Sequence, residues 1–240
     1  MFDVDEVMGK RYYVRNHNTF TSGNGLSSPA NGSTNVYRED QDGNPIFNFD
    51  IIDQIYDNYL EKNFIPIVEL GFMPLDLVEH AKDIISDWQV GRDVGREVYE
   101  ISKWKSPPKD YQKWRILVKT FVEHLYERYG DDVQNWYFEL WNEPDLSNYW
   151  SGSCQEYCQL YDYSVDAIKS VNQHFRIGGP ATSAHRHEFL KQFLEHVTNG
   201  TNYLTKHTGT HLDFISFHTK GLSFSLLILS IGIGKNQCFC

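Results

Sequence analysis

Residues 135–145 read NWYFELWNEPD and contain the pattern that decides the fold. The first part of this stretch is aromatic and aliphatic, which is typical of a buried β-strand, here residues 136–141. The second part is polar and ends in Pro144 and Asp145. Because a proline biases the preceding residue away from helical geometry, the strand is predicted to end in a sharp turn from which the side chain of Glu143 projects.

The same pattern, a short apolar run followed by polar residues, occurs at four other places. The further predicted strands are residues 11–17, 64–70, 175–179 and 214–218. The polar residues at the strand ends are Asn16, His17, Asn18, Glu69, Asn142, Glu143, Thr182, Ser183 and His218. In a parallel barrel the carboxyl ends of the strands form the active-site face, so these side chains are predicted to lie together.

Amphipathic helical patterns separate the predicted strands. Their apolar residues recur at spacings of three and four within residues 51–60, 114–129, 157–168 and 189–197. Asp50 is placed to cap the first helix, and Gly130 is placed to end the second. Strands that alternate with helices in this way predict an α/β protein with parallel strands and right-handed crossovers.

Within the α/β class the sequence favours a barrel over a doubly wound sheet. A doubly wound sheet predicts a glycine-rich phosphate turn after an early strand, and the sequence has none. A complete barrel has eight strands and only five are recognised, so we expect a partial (β/α)8 TIM barrel. Its domain is predicted to span residues 1–221. Residues 222–240 are predicted to be an atypical tail, because they show neither a helical stripe nor a pair of strands. Two interpretations stay open, a fragment of a longer domain and a truncated gene product with a foreign tail.

Composition excludes several classes of partner. The 240 residues include 22 Lys plus Arg and 32 Asp plus Glu, and this net charge of −10 argues against a nucleic-acid partner. No membrane partner is expected, because the apolar run at residues 222–233 is too short to cross a bilayer. No signal peptide is visible, because residues 1–9 are acidic and lack an apolar core. The 15% aromatic content favours aromatic barrel walls over an aromatic sugar cleft.

Glu143 is the strongest catalytic candidate. Glycoside hydrolysis requires an acid that protonates the leaving oxygen, and apolar surroundings such as Trp136 and Trp141 raise the pKa of a carboxyl group towards that role. The amide of Asn142 is placed to hold a sugar hydroxyl beside the bond that is cut. The alternative is an exposed glutamate at the end of a strand, without a function.

Cysteine and histidine spacings indicate no cofactor and no metal site. Cys154 and Cys158 are one helical turn apart and lack the loop spacing and the nearby histidines of a zinc site. Residues 185–188, HRHE, are predicted to form a loop that opens a helix. His207 and His211 flank a Thr-Gly-Thr sequence, which is typical of a loop rather than of a helical metal-binding pair.

Six segments resemble, in the right order, segments of glycoside hydrolase family 39, which contains β-xylosidases and α-L-iduronidases. They are VRNHNTF (14–20), VELGFMP (68–74), SPPKDYQKW (106–114), YFELWNEPDL (137–146), IGGPATS (177–183) and LDFISFHTKG (212–221). The resemblance covers most of residues 11–221. It implies that the recognised strands are strands two to six of the barrel, with strands one, seven and eight missing.

The resemblance also implies roles for individual residues. Glu143 matches the family's general acid/base, and Asn142 matches the amide that holds the sugar 2-hydroxyl. His17 and His218 match histidines of the substrate-binding barrel mouth. Lys220 matches a lysine that in iduronidases grips the sugar carboxylate.

In this family a second glutamate, at the end of strand seven, forms the glycosyl-enzyme intermediate, and this chain stops before that strand. Glu69 ends a neighbouring strand, but a hydrogen-bonding role in the barrel mouth is favoured over a role as substitute nucleophile. Asp145 is predicted to cap the next helix or to contact solvent. We therefore expect no detectable turnover from the 240 residues alone.

The predicted function is hydrolysis of O-glycosyl bonds in a carbohydrate substrate by a retaining exo-glycosidase of the β-xylosidase type. One alternative is a uronide hydrolase of the α-L-iduronidase type, for which Lys220 is the discriminating residue. A second alternative is a non-catalytic sugar-binding module or a non-functional fragment. Family members are often secreted or lysosomal, but the sequence indicates neither a compartment nor an oligomeric state. Residues 76–103 have a charged, helical pattern without an assigned role.

Overall fold

The structure, a computed structural model, describes residues 11–21, 34–78, 103–185 and 187–219. Strands and helices alternate along these segments. They are β1 (Tyr12–Asn16), β2 (Tyr37–Glu39), β3 (Pro45–Phe47), α1 (Asp50–Glu61), β4 (Phe64–Leu70), α2 (Tyr111–Tyr129), β5 (Tyr137–Leu140), α3 (Cys154–Val171), β6 (Arg176–Thr182), α4 (His187–Asn199) and β7 (Phe214–Phe217). Short 3₁₀ helices occupy Leu75–Leu77, Lys103–Lys105 and Gly130–Asn135.

Five strands form one sheet in the order β1-β4-β5-β6-β7, and each neighbouring pair is parallel. Helices or long connections cross over between successive strands, as the alternating sequence pattern predicted. The five predicted strands coincide with the observed ones, although β6 continues past the predicted end at residue 179 to Thr182. The expected architecture, an α/β partial barrel, is therefore confirmed.

The four predicted helices are present, and Gly130 ends α2 with a φ of 57°. The expectation that Asp50 caps α1 was wrong. Asp50 is itself the first helical residue, Phe49 precedes it without a side-chain cap, and Asn48 Oδ1 accepts a hydrogen bond from the Asp50 N–H. The Asp50 carboxylate instead lies in the first turn, where a negative charge interacts favourably with the helix dipole.

Helix α3 begins with a capping box. The Ser153 hydroxyl accepts from the Glu156 N–H, and the Glu156 carboxylate accepts from the Ser153 N–H. We expect Ser153→Ala to lower the free energy of unfolding by about 1 kcal/mol, because it removes the acceptor for an otherwise unpaired helical N–H. Ser170→Ala in the same helix is the control, and urea unfolding is the measurement. Equal effects of the two substitutions would contradict a specific cap at Ser153.

The antiparallel hairpin of β2 and β3 was not predicted from the sequence. Its strands have three residues each, too short to show an alternating pattern. The signal for it is Asp42-Gly43 in the connecting turn, where Gly43 has a φ of 82°. The hairpin lies between β1 and α1 in the chain and leaves the order of the parallel sheet unchanged.

Aromatic side chains fill the core, as the composition predicted. Among the described residues, the largest fully buried side chains are Trp114, Trp136, Trp141, Tyr37, Tyr56, Tyr157, Tyr161, Phe20, Phe72, Phe121, Phe138 and Phe175. Their polar atoms are paired in several cases. The Trp114 indole donates to Ser164 Oγ at 2.9 Å, and the Tyr157 hydroxyl donates to the Leu140 carbonyl at 3.0 Å. These bonds tie α2 to α3 and α3 to the end of β5.

Several predictions fall outside the described residues. They concern Lys220, the tail at residues 222–240 and most of the segment 76–103, of which residues 79–102 are not described. The division into a barrel domain of residues 1–221 and a tail stays a prediction. None of the helices in the described part of the chain is long and apolar enough to cross a membrane.

Candidate active site

Backbone hydrogen bonds continue the sheet beyond the strand ends and bring the connecting loops into register. These bonds run from Trp141 N to Leu70 O (3.1 Å), from Glu143 N to Ala181 O (2.8 Å) and from His218 N to Thr182 O (2.7 Å). The residues that follow β5 and β7 are therefore fixed against the last residues of β4 and β6. This arrangement is the rim at which the sequence predicted a site.

Glu143 lies three residues past the end of β5 and is 3% exposed. Its φ is 48°, and that of Trp141 is 68°, so two residues with side chains adopt left-handed backbone geometry within three positions. Such geometry is uncommon for these residue types and is typical of functional sites, where surrounding contacts hold it in place. The turn is sharp, as the Glu143-Pro144 sequence predicted.

The Glu143 carboxyl group contacts a histidine from another strand end. His218 follows β7, and its Nδ1 lies 2.7 Å from Oε1 of Glu143. The His218 side chain is 30% exposed, whereas that of Glu143 is 4% exposed. The imidazole therefore connects the buried carboxyl group to the open side of the rim.

Asn142 and Arg15 form the next contact. Arg15 lies in β1, and its Nη2 donates to Asn142 Oδ1 at 3.2 Å and to the Trp141 carbonyl at 3.4 Å. Since the amide oxygen of Asn142 already accepts from Arg15, the Nδ2 group is the donor that remains for a ligand hydroxyl. The structure thus orients the amide that the sequence singled out.

His17 is held by Glu69. The His17 Nδ1 is hydrogen-bonded to Glu69 Oε2, and Arg15 Nη1 lies 3.0 Å from the same oxygen. The Glu69 side chain is fully buried. It makes the hydrogen bonds in the barrel mouth that the sequence analysis favoured for it.

Arg15 is the centre of the charges in this site. Its Nε donates to Glu139 Oε2 as well, so one guanidinium group contacts two buried carboxylates and Asn142. Burial by itself lowers the pKa of Arg15, but the charges of Glu69 and Glu139 outweigh it and raise that pKa. Burial by itself raises the pKa of Glu69, but the charges of Arg15 and His17 outweigh it and lower that pKa. Arg15 and Glu69 are therefore both ionised at neutral pH.

Sequence reasoning missed Arg15 and Glu139. A signal was present in each case, because both are charged residues inside segments otherwise typical of buried strands, YYVRN and YFEL. A charge inside a buried strand requires a partner. The sequence gives no means of pairing residues that are 124 positions apart.

One expectation about the surroundings of Glu143 was wrong. Trp136 directly precedes β5, so the length of that strand separates it from the rim. Its ring packs against Tyr56 and Tyr129 instead. Only Trp141 of the two predicted indoles is next to the candidate acid, and its Nε1 donates to the Tyr149 carbonyl at 2.7 Å.

Asp145 neither caps α3 nor is left to solvent. Its carboxylate accepts from the Ser183 N–H at 2.8 Å and from the Ser183 hydroxyl at 2.7 Å. The N-cap of α3 is Ser153, and the carboxylate of Asp145 contacts Ser183 in the loop after β6 instead. The contact links the turn that carries Glu143 to the loop after β6.

The predicted site residues that the structure describes are brought together. Glu69 and Arg15 connect His17 to Asn142, and the next residue in the chain, Glu143, contacts His218. Lys220 lies outside the described residues. In the segments that are described, no three His, Cys, Asp or Glu side chains are grouped so that they could hold a metal ion.

The chain is similar to known glycosidases. The sequence model of the family described as glycosyl hydrolases family 39 matches residues 30–235. A beta-xylosidase of Geobacillus stearothermophilus is 39% identical over 199 residues, which are 80% of this chain and 34% of that protein. An alpha-L-iduronidase of Mus musculus is 30% identical over 190 residues, which are 77% of this chain and 26% of that protein.

A solved structure shows the same similarity. The monomeric beta-xylosidase from Caulobacter crescentus CB15 matches with a TM-score of 0.64 and 30% sequence identity over 90% of this chain and 37% of that chain. The chain thus spans about a third of the length of the beta-xylosidases that it matches. Because the family match covers most of the chain and keeps the fold, the chain belongs to the glycosyl hydrolases of family 39.

Proposed function

We propose that this chain carries the acid/base side of a retaining exo-glycosidase site of the β-xylosidase type, with Glu143 as the general acid/base. The observation that carries the proposal is the Glu143 carboxyl group, which is almost fully buried in a left-handed turn and lies 2.7 Å from His218 Nδ1. A buried carboxyl group in contact with an imidazole is suited to hold a proton and release it to a leaving oxygen.

The neighbouring residues have binding roles in this proposal. Asn142 donates from Nδ2 to the sugar 2-hydroxyl, a contact that strengthens in the transition state. His17 and His218 contact the substrate from either side of Glu143. Arg15 acts through its neighbours, because it fixes the Asn142 amide and, with His17, the Glu69 carboxylate.

Neither of the other buried carboxylates at this rim is suited to be the nucleophile. Glu69 and Glu139 both contact Arg15, and Glu69 contacts His17 as well. An ion pair of this kind stabilises the carboxylate and lowers its reactivity as a nucleophile. The proposal therefore assigns the nucleophile to a residue outside these 240, since a retaining site needs a second carboxylate about 5–5.5 Å from the acid.

A second candidate function is uronide hydrolysis. The similarity to the mouse alpha-L-iduronidase favours it, together with the resemblance that places a lysine at position 220. A lysine at the rim of a sugar site without an anionic partner is unfavourable, whereas a uronide carboxylate would pair with it. The substrate of the β-xylosidase type has no such carboxylate.

Hydrolysis of an aryl β-xyloside and an aryl α-L-iduronide tests the proposal. The assay uses a version of the chain extended by the remaining barrel strands, here called the full-length version. Lys220→Ala is expected to lower kcat/KM on the uronide by about 10- to 100-fold and to leave the xyloside unchanged, because it removes a charged hydrogen bond only from the uronide.

Lys191→Ala is the matched control, because Lys191 lies exposed on α4. Equal losses on both substrates after Lys220→Ala would contradict the carboxylate-binding role. Turnover of the xyloside by the unextended 240 residues would contradict the assignment of the nucleophile to a residue outside them.

A further inference from the structure

Two thiols of α3 have no part in the proposed glycosidase site. Cys154 is the first residue of α3, directly after the Ser153 cap, and Cys158 follows one turn later on the same face. Both side chains line the same pocket, and each affects the pKa of the other. Cys154 is partly exposed, and Cys158 is 3% exposed.

A pocket of about 340 Å³ opens beside these thiols, between α3 and the end of α4. Its walls are mostly polar, which suits a small hydrophilic molecule rather than an apolar one. The residues that line it with the two cysteines include Gln155, Gln192, Glu195 and Tyr203. A small disulfide therefore has access to Cys154 from solvent.

The two thiols are not equivalent. The hydrogen bond from Cys158 lowers the pKa of Cys154, and this effect outweighs burial and the charge of Glu188, both of which raise it. The position at a helix N-terminus acts in the same direction. Hydrogen bonding and burial raise the pKa of Cys158 well above its ordinary value. When protonated, Cys154 also donates a weak hydrogen bond to the Phe189 carbonyl at 3.9 Å.

We propose that Cys154 and Cys158 form a thiol-modification site that exchanges with a low-molecular-weight disulfide such as glutathione disulfide. The Cys154 thiolate attacks one sulfur of that disulfide, forms a mixed disulfide and releases one glutathione thiolate, which takes up the proton. Cys158 then loses its proton and attacks the Cys154 sulfur, and the second glutathione leaves as a thiolate that takes up that proton. The two cysteines are oxidised, and one glutathione disulfide is reduced to two glutathione molecules.

Helix geometry permits the closing step but strains it. Residues four apart in an α-helix have Cα atoms about 6 Å apart, inside the range that disulfides span. Their Cβ atoms are about 5–6 Å apart, whereas a disulfide needs about 3.5–4.5 Å, so the first turn of α3 must tighten. A strained disulfide of this kind is reduced easily, which makes the modification reversible.

The strain reaches the rim of the sheet through Tyr157. This residue lies between the two cysteines, is fully buried, and donates from its hydroxyl to the carbonyl of Leu140. Leu140 is the last residue of β5, three positions before Glu143. Closure of the disulfide thus pulls on the turn that holds the candidate acid, and we expect it to lower the thermal midpoint of unfolding.

The test uses the 240-residue chain with Cys238→Ser and Cys240→Ser, which removes the other two thiols. Far-UV circular dichroism confirms folding, and the chain is treated with glutathione disulfide in native buffer and in urea. Mass spectrometry with peptide mapping is expected to show loss of two hydrogens and a Cys154–Cys158 disulfide, formed faster in native buffer and reversed by dithiothreitol. The oxidised chain is expected to unfold at a lower temperature than the reduced one.

Single variants separate the two roles. With Cys158→Ser, a glutathione adduct is expected to persist on Cys154, whereas with Cys154→Ser the native chain is expected to react far more slowly. Cys158→Ala repeats the first experiment with an apolar replacement for this buried residue. A persistent adduct while Cys158 is intact, reaction first at Cys158, or no faster reaction in native buffer than in urea would each overturn the proposal.

Discussion

Glu143→Gln in the full-length version is expected to lower kcat/KM on methyl β-xyloside by about 10²–10⁴-fold, the contribution of a positioned general acid. Glutamine has the same shape as glutamate and can keep the contact with His218, so the site is expected to stay assembled. What the substitution removes is the proton that the leaving methoxide needs. The effect on rate should therefore appear without a matching loss of stability, which thermal unfolding checks.

The dependence on leaving group distinguishes acid catalysis from a binding role. Dinitrophenolate leaves readily without protonation, whereas methoxide does not. Glu143→Gln is therefore expected to reduce kcat/KM on dinitrophenyl β-xyloside by less than about 10-fold, since the step that this constant reports no longer needs the acid. If Glu143 only bound the sugar, the two substrates would lose the same factor.

Glu123→Gln supplies the matched control. Glu123 lies on α2, is about half exposed, and forms an ion pair with Lys119 one turn earlier. The same chemical change there is expected to leave both rates unchanged. Full activity of Glu143→Gln on methyl β-xyloside would contradict the assignment of Glu143 as the acid.

The elements of the fold were predictable because they depend on local pattern. Strand β5 and its abrupt end are encoded in consecutive residues, and so is the amphipathic stripe of α2. Parallel pairing then follows from the alternation of strands and helices. The hairpin of β2 and β3 escaped because each strand has three residues, too few for a period.

Several members of the candidate site were predictable as polar residues at strand ends, but their contacts with one another were not. Glu143 and Asn142 adjoin each other in the chain, so one segment of sequence reveals both. The contacts of Arg15 with Glu139 and Asn142, and that of His218 with Glu143, join residues 75 to 127 positions apart. No pattern of neighbouring residues indicates which distant residues form a contact. The sequence contains several Asp and Glu residues with which the buried charge of Arg15 in β1 can pair.

The ion pairs of Arg15 with Glu69 and Glu139 are the part of the site on which the stability of the fold is expected to depend most. Among the described residues, Arg15 is the side chain that contacts both Glu69, which is fully buried, and Glu139, whose side chain is 6% exposed. Removal of one partner from a buried ion pair leaves an uncompensated charge, which typically costs about 3–5 kcal/mol. His17 still contacts Glu69, but nothing described in the structure replaces the contact of Arg15 with Glu139.

Arg15→Met is accordingly expected to lower the free energy of unfolding of the 240-residue chain by about 3–5 kcal/mol at pH 7. Methionine keeps much of the length and apolar character of the arginine stem, so the loss reports the charge rather than a cavity. Urea unfolding is the measurement. Glu69→Gln combined with Arg15→Met is expected to recover part of the loss, because it neutralises one of the two carboxylates left without Arg15.

The pH dependence of this loss has a defined sign. In the native chain Arg15 and His17 lower the pKa of Glu69, so its contribution to stability is present above its unfolded pKa and is lost as the pH falls through the folded pKa. Arg15 is the largest of the effects that oppose burial, so we expect its removal to raise the pKa of Glu69 above the unfolded value. The contribution of Glu69 is then retained below the unfolded pKa and lost as the pH rises through the folded one.

The difference in the free energy of unfolding between the native chain and Arg15→Met should therefore be largest near neutral pH. It should become smaller towards about pH 4, where the glutamate of a model peptide takes up its proton. Arg128→Met is the control, because Arg128 forms an exposed ion pair with Asp57, and exposed pairs contribute little. A loss for Arg15→Met no larger than that for Arg128→Met, or one that is the same at both pH values, would show that the Arg15 contacts are not a buried charge network. A loss in the free energy of unfolding that becomes smaller at acidic pH would show that the charge of Arg15 keeps Glu69 ionised at the rim of the sheet. The same guanidinium group holds the amide of Asn142 beside Glu143.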